Sequence, residues 1–433
     1  MARLVVTTTT DREGADLLTA PRDDLVLERE VEPGVFEAVE GPFRRYRRTV
    51  TTEAAVALDC PGPAATGDPV LVGFAWPEGG QALDQPDVGE AARATVSYAN
   101  DCLGGIGGRP VELVECPEGE DAASVAACAN DFIDAGAVAG GISATQFGDS
   151  MAGPLGDAGI PYYSPTGAGA ELLDENGYVW GPGAAGSLGG AAAYAEANGL
   201  DSVALVVVED VAAQLTAFAT PAFDAAGVDF TSVPVPLGTP DMTPQLRTAL
   251  DDSPEALAIL GDETLCISFL QALEALAPEN LTTMVILPCL ADNVAEAVGA
   301  DVLEGKVVIG TNDSASDDPE AELYRAVMQE YAPDVDAFGF ASFGYTSILS
   351  VVRAADGIEG EITPASMAEA FGQDRDVALP VGAGTTFNCS ETPIAQPAPL
   401  VAVCAGESLV GTIQDGAVGD IEVFDIRPLF GGS

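Results

Sequence analysis

From Pro69 onward, short apolar runs alternate with amphipathic segments, and this rhythm restricts the fold more than any other feature of the chain. Residues 70–74 read as a strand and 89–100 as a helix. A glycine-rich turn, Gly104-Gly105-Ile106-Gly107-Gly108, leads into a strand at 111–114. Helix 122–135, strand 137–141, helix 150–158 and strand 161–163 follow. After residue 183 the pattern restarts: helices at 188–198, 212–226, 243–251, 265–277 and 292–298 interleave with strands at 203–208, 230–235, 256–260, 283–287 and 306–310. Residues 318–372 read as largely helical and 384–426 as strands again. Strand–helix alternation of this kind gives parallel sheets covered by helices on both faces. The 433 residues exceed the roughly 250–300 at which a single core stops growing, so two such α/β, Rossmann-like lobes are expected.

Residues 1–68 break the pattern and read as an N-terminal extension. Segments 24–30 and 35–39 can pair around Glu32-Pro33-Gly34 as a small hairpin. The run Arg44-Arg45-Tyr46-Arg47-Arg48 invites a nucleic-acid reading, but a local solvated or salt-bridged strand fits it better. A Pro/Gly/Ala linker at 60–67 ends the segment.

Open parallel sheets take ligands beyond the carboxyl ends of their strands. Two lobes whose strand ends face each other form a cleft that a hinge can shut. The informative loops are therefore 75–85, 142–149, 164–172, 209–214, 261–265 and 288–291.

Charge excludes several partners. The chain holds 16 basic and 68 acidic residues, a net charge of −52. The first 50 residues are nearly balanced, with eight arginines against ten acids, so the remainder carries about −50. Nucleic acid and anionic lipid both need basic neutralisation, which this surface does not offer. Dense carboxylates repel one another in dilute buffer and are screened within about 3 Å at 1 M salt. The composition therefore suits life in high salt.

Eight cysteines stand at 60, 102, 116, 128, 266, 289, 389 and 404, none in a C-x-x-C pair, and there is no histidine. That argues against zinc and for disulfides made outside the cytosol. No run of 18 apolar residues occurs, so no membrane span is expected. No signal peptide is visible, because Met1-Ala2-Arg3-Leu4-Val5-Val6 runs straight into threonines. An extracytoplasmic location would then need a different start or an unusual export route.

Enzyme readings find little support. Without histidine there is no Ser-His-Asp or Cys-His arrangement. Neither a G-x-S-x-G elbow, a P-loop nor a dinucleotide fingerprint after the first strand is present. Carboxylate pairs are unavoidable with 68 acids and carry no information. No cofactor and no metal is expected.

Several segments taken in order carry a family resemblance. They are Cys116 with Ala126-Ala127-Cys128-Ala129-Asn130, Ala137-Val138-Ala139-Gly140-Gly141, and Gly159-Ile160-Pro161-Tyr162-Tyr163-Ser164-Pro165. Gly105-Ile106-Gly107-Gly108-Arg109-Pro110 and Phe343-Gly344-Tyr345 add to it. Over about 69–425 the chain resembles the type I periplasmic binding proteins, in particular the branched-chain amino acid (Leu/Ile/Val)-binding family of ABC-transporter solute receptors. The resemblance implies two lobes joined by a three-strand hinge: 69–183 with 312–380, and 184–311 with 381–433. It implies disulfides Cys116–Cys128, Cys266–Cys289 and Cys389–Cys404, leaving Cys60 with Cys102. It further implies a monomeric, extracytoplasmic receptor that hands a small amino-acid-like or amide solute to an ABC permease. A ligand-sensing domain of the same fold is the alternative, and no attached kinase, DNA-binding or membrane segment favours it.

The resemblance also points to contacts. Such proteins hold a zwitterion by hydroxyls and backbone N–H groups at its carboxylate and by an acid at its ammonium, since charge-assisted hydrogen bonds must replace lost hydration. Ser164, Thr166, Gly167 and Ala168 lie in the loop that matches the carboxylate-binding one. Ala168 stands where a threonine is usual, and Ser164 or Thr166 can supply the hydroxyl. Ser143, Thr145 and Gln146 match the hydroxyl-rich loop, with helix capping as the competing role. Trp76 follows the first strand, where it can either stack on a ligand or pack the lobe. Two departures matter: Ala212-Ala213 replace an expected tyrosine, and Cys289 replaces the expected acid. Glu263 is the nearest substitute acid, although acids also favour helix starts.

Overall fold

The computed structural model describes residues 2–6, 25–32, 35–38, 58, 60–80, 84–167, 169–236, 238–278, 280–310, 312–314, 316–414 and 417–432. The chain divides into two compact units, 1–57 and 58–433. In the first, β1 (Ala2–Val6), β2 (Leu25–Glu32) and β3 (Val35–Ala38) make an antiparallel sheet. The expected hairpin is its β2–β3 pair, with Glu28 opposite Ala38. Pro33, Gly34 and the basic run 44–48 lie outside the described residues.

The second unit begins with the linker, which is tied down. Cys60 bonds Cys102, Gly62 N donates to Cys102 O at 2.8 Å, and Ala65 N donates to Asn100 O at 2.7 Å. The chain then runs β4 (Val70–Pro77), α1 (Pro86–Tyr98), β5 (Val111–Glu118), α2 (Ala122–Ala135), β6 (Ala139–Ile142), α3 (Asp149–Asp157), β7 (Tyr162–Ser164) and β8 (Gly177–Val179). These strands form an all-parallel sheet in the order β5-β4-β6-β7-β8.

Crossing over at 180–182, the chain builds the second lobe. It adds α4 (Gly183–Asn198), β9 (Ser202–Val208), α5 (Glu209–Ala226), β10 (Asp229–Val235), α6 (Thr243–Asp251) and β11 (Ala256–Leu260). Then come α7 (Glu263–Leu276), β12 (Thr282–Val285), α8 (Asp292–Val298), α9 (Ala300–Leu303) and β13 (Val307–Gly310). A second crossing returns it to the first lobe for α10 (Pro319–Tyr331), α11 (Ala341–Ala354), α12 (Pro364–Phe371) and the short hairpin β14 (Val377–Ala378) and β15 (Thr386–Phe387). That hairpin keeps Phe387 in the first-lobe core, so the third crossing occupies 388–406. It delivers β16 (Glu407–Gln414) and β17 (Ala417–Asp425) to a sheet ordered β10-β9-β11-β12-β13-β16-β17.

Alternation explains why these runs are strands buried on both faces. On β4, Val70, Val72, Phe74 and Trp76 enter one core while Ala75 enters the other. On β9, Val203, Leu205 and Val207 face one way and Ala204 and Val206 the other. Each such valine, leucine or phenylalanine contributes about 1.5–3 kcal/mol when fully buried. Small residues let the helices close in. A β-carbon at Gly73 would lie 2.3 Å from the Phe132 ring, and one at Gly190 2.1 Å from Ser408 Oγ.

The second sheet differs from the purely parallel expectation. Its β16 runs antiparallel to β13 and to β17, because a two-residue link between β16 and β17 allows no crossover helix. The expected strand at 283–287 stops at Val285, since Pro288 enters the 3-10 turn Leu287–Leu290. Much of 384–426 is crossing, not strand, and three-residue β8 is an addition to the expected elements.

The structure contains four disulfides, Cys60–Cys102, Cys116–Cys128, Cys266–Cys289 and Cys389–Cys404. The last belongs to the third crossing. Cys389 and Cys404 pack with the first-lobe core, whereas Ile394, Leu400 and Ala402 between them pack with the second. Among the described residues no helix is long and apolar enough to cross a membrane.

Candidate functional site

Parallel strands deliver their helices' N-termini to one edge of each lobe. At the first lobe's edge, Gln85 immediately precedes α1 and turns its side chain over the ends of β4 and β6. Its backbone N donates to Pro77 O at 2.8 Å, and its Oε1 accepts from Ser143 Oγ at 3.2 Å. Ser143 N in turn donates to Ala75 O at 2.9 Å. Both side chains are buried, and Gln85 Nε2 has no hydrogen-bond partner among the described residues. An orphan buried donor of this kind costs about 1–3 kcal/mol, so this amide offers an unused hydrogen bond at the strand ends.

The loop after β6 continues with Thr145, whose Oγ1 accepts from Phe147 N at 3.1 Å, and with Gln146, which is exposed. In the loop after β7, the buried Ser164 donates its hydroxyl to Thr166 O. Thr166 is half-buried and Gly167 buried, whereas Ala168 lies outside the described residues. This second loop touches the first crossing: a β-carbon at Gly183 would lie 2.9 Å from Thr166 Oγ1 and 3.0 Å from Gly167 O.

Trp76 sits deeper. It is 1% exposed, its Nε1 donates to Glu78 Oε2 at 3.0 Å, and the Arg93 guanidinium lies 5.4 Å over its ring. Gly89 gives the indole its seat, because a β-carbon there would come within 2.5 Å of the ring. The indole face therefore packs the lobe in this structure.

Glu263, at the start of α7, faces the opposite lobe. A β-carbon at Gly339, between α10 and α11, would lie 3.7 Å from Glu263 Oε1 and 3.8 Å from Ala291 Cβ. Asn293 donates its side-chain N–H to Glu263 Oε2. Burial pushes the Glu263 carboxyl up; the Asn293 hydrogen bond opposes this, and the charges of Asp262, Asp336 and Asp87 add to it. Asp87, on α1, is likewise raised by burial and then by Asp336 and Glu90. Acids from both lobes thus converge where the lobes meet, and such a site favours a cationic group. Cys289, the other position of interest, is closed in the Cys266–Cys289 disulfide and carries no charge.

The expected residues fall into two groups. Ser143, Thr145, Gln146, Ser164, Thr166 and Gly167 share the first-lobe edge, and Glu263 stands on the second. Gln85, Asp87 and Asp336 were not singled out from the sequence. Gln85 sits inside the flagged loop 75–85, but nothing in its neighbours marks it, and the two aspartates are lost among so many acids. Among the described residues no group of three or more His, Cys, Asp or Glu side chains could hold a metal ion.

Known proteins agree with this architecture. No curated protein sequence matches the chain. Solved structures do. The leucine-binding protein of Thermotoga maritima is 18% identical with a TM-score of 0.65, covering 82% of this chain and 99% of that one. A Rhodopseudomonas palustris solute-binding protein of an ABC transporter, solved with 3,4-dihydroxybenzoic acid, is also 18% identical with a TM-score of 0.65, covering 83% and 98%. The fatty acid ABC transporter substrate-binding protein of Thermomonospora curvata is 14% identical with a TM-score of 0.67, covering 84% and 93%. At these identities the likeness is one of fold. The sequence model described as periplasmic binding protein matches residues 69–407, nearly the whole of both lobes, and the chain therefore belongs to the periplasmic binding protein family.

Proposed function

We propose that this protein is the extracytoplasmic, monomeric solute receptor of an ABC importer, and that it closes its lobes around a small amino-acid-like or amide solute without altering it. The observation that carries the reading is the pairing of unlike edges across the cleft. The unused Gln85 amide on the first lobe suits a carboxylate or carbonyl oxygen, and the Ser143 and Ser164 hydroxyls would join by turning from their present acceptors. The half-buried Glu263, with Asp87 and Asp336 opposite, suits an ammonium. Binding residues in this reading are Ser143, Thr145, Gln146, Ser164, Thr166, Gly167, Ala168 and Glu263, with Gln85 added. Trp76 joins them only by rotating out from under Arg93.

The test is native mass spectrometry of the purified protein, followed by a thermal-shift panel of amino acids, amides, aromatic acids and fatty acids. A solute at a hundredfold excess over its dissociation constant stabilises by about 2.7 kcal/mol. The expected hits carry both an ammonium and a carbonyl group. Hits confined to fatty acids or aromatic acids would overturn the solute class, and turnover of a compound would overturn the receptor reading. Pull-down from membrane extracts should recover a permease, and a sensor recovered in its place would move the assignment to signalling.

A further inference from the structure

Glu171 is a carboxylate with 2% exposure in a protein whose other acids mostly face water. It lies in the single 3-10 turn Ala170–Leu173 that follows the loop after β7, and its Oε1 accepts from Gly169 N at 3.0 Å. A polar group this buried costs free energy unless its surroundings are built for it. A turn cap alone needs no such burial.

Three glycines shape those surroundings. A β-carbon at Gly148 would lie 2.8 Å from Glu171 Cδ, one at Gly167 3.2 Å from Oε1, and one at Gly169 2.5 Å from Oε2. None of the three has a positive φ. Gly148 is helical, at φ −55° and ψ −35°, and Gly169 is extended, at φ −117°. At Gly148 and Gly169 the missing β-carbon leaves room for the carboxylate, whereas at Gly167 it leaves room first for Leu172 Cδ2, at 2.5 Å, and then for the carboxylate.

The cradle spans two loops. Gly167 and Gly169 belong to the loop after β7. Gly148 ends the loop after β6 and opens α3, its carbonyl accepting from Ala152 N at 2.9 Å. Tyr162 lines the same spot: its hydroxyl would lie 2.9 Å from a Gly148 β-carbon. Burial first, and then the Glu171 charge, push that hydroxyl well up, while a hydrogen bond with Ser164 opposes them. Glu171, Tyr162 and Ser164 thus form one buried polar cluster behind the loops.

We infer that Glu171 is a positioning residue that yokes the two solute-lining loops of the first lobe from behind, setting the spacing between Thr145 and the Ser164–Gly169 segment. This rests on the reading that these loops line the solute cleft, but its test needs no solute. Hydrogen exchange is followed on the full, solute-free chain for wild type, Glu171→Ala and Glu171→Gln. Loss of the Gly169 N–H bond and of the packing against Gly148 in Glu171→Ala should speed exchange in 143–148 and 164–170 together by about tenfold, leaving 202–310 unchanged. Glu171→Gln keeps an acceptor of the same shape and should restore most of the protection. Gly148→Ala should mimic Glu171→Ala, and adding it to Glu171→Ala should do less harm than it does alone. Acceleration confined to 164–170, acceleration throughout the chain, or no rescue by glutamine would each overturn the yoke. A solute panel with no hits leaves the exchange result standing, so the two failures are distinguishable.

Discussion

The third crossing offers a quantitative test of how the lobes are joined. Cys389 and Cys404, 15 residues apart, are bonded on the first-lobe side, while the loop between them inserts Ile394, Leu400 and Ala402 into the second-lobe core. Replacing both cysteines by alanine frees this loop in the unfolded chain. For a loop of this length the chain-entropy model assigns about 3 kcal/mol to the cross-link. Unfolding entropy of about 2.1 cal/mol/K per residue, over the roughly 380 residues of Leu58–Ser433, gives about 0.8 kcal/mol per degree. The expected fall in Tm is therefore about 4 °C if the unit unfolds as one, and about twice that if the second lobe melts alone. Differential scanning calorimetry under non-reducing conditions measures it. The Cys116–Cys128 pair, 12 residues apart within the first lobe, is the control: its removal should cost nearly as much, about 2.8 kcal/mol. Only the crossing variant should also broaden the solute-free scattering profile, because only that loop is shared by both cores. A Tm change below about 1 °C, or equal broadening in the two variants, would refute the argument.

Gly344→Ala would place a methyl 2.1 Å from Val88 O and 2.9 Å from Ala92 N, both backbone atoms of α1, so α11 must move. Urea unfolding should show a loss of about 3 kcal/mol, the top of the overpacking range, and a loss below about 1 kcal/mol would mean that the helices slide freely. Because burial raises the Glu263 carboxyl above its ordinary 4.5, the stability its protonated form contributes is complete below the unfolded-state value and is lost as pH rises through the folded one. Glu263→Gln should therefore remove a fall in Tm that sets in as pH rises past the ordinary carboxyl value of 4.5, and unchanged pH curves would contradict the placement. Finally, a net charge of −52 predicts that sodium chloride raised from about 0.1 to about 2 M lifts Tm by several degrees, as the screening length drops from about 10 Å to below 3 Å. A flat or falling Tm would sink the high-salt reading.

Elements whose ends are written in local chemistry were legible residue by residue. α2 spans 122–135 as expected, because Asp121 caps it through Ala123 N and Ser124 N and Gly136 ends it at φ 78°. α6, β11 and α8 also match their expected bounds. What periodicity does not report is the partner. The apolar run of β16 reads alike whether its neighbour is parallel or antiparallel, and the short link to β17 alone decides it. Segment 388–406 carries strand-like composition but spends its backbone on a crossing, with Asn388 N donating to Cys404 O and Cys404 N to Val179 O. At the site, the loops were legible because strand ends are; side-chain direction was not. Trp76 turns inward because Gly89, thirteen residues away, leaves space for it, and no local pattern records that.

The same features bear on where the two lobes can move relative to each other. Disulfides stiffen each lobe internally, with Cys60–Cys102 and Cys116–Cys128 in the first and Cys266–Cys289 in the second. Gly344 lets α11 pack almost backbone to backbone on α1, and Gly189 and Gly190 let α4 close onto the side chains of Phe430, Ile426 and Ser408. Bodies this close-packed do not deform gradually, so relative motion must concentrate in the three crossings. The first of these leads directly into Gly183, held at φ 56° with Thr166 Oγ1 and Gly167 O against it. On the proposed receptor reading, a solute seated on Thr166 and Gly167 would bear on Gly183, at the end of the first crossing. The proposed Glu171 yoke, behind that loop, would limit how much of that push local give absorbs. On that reading occupancy would pass to the crossing instead of being lost in the loop, as the proposed importer role requires.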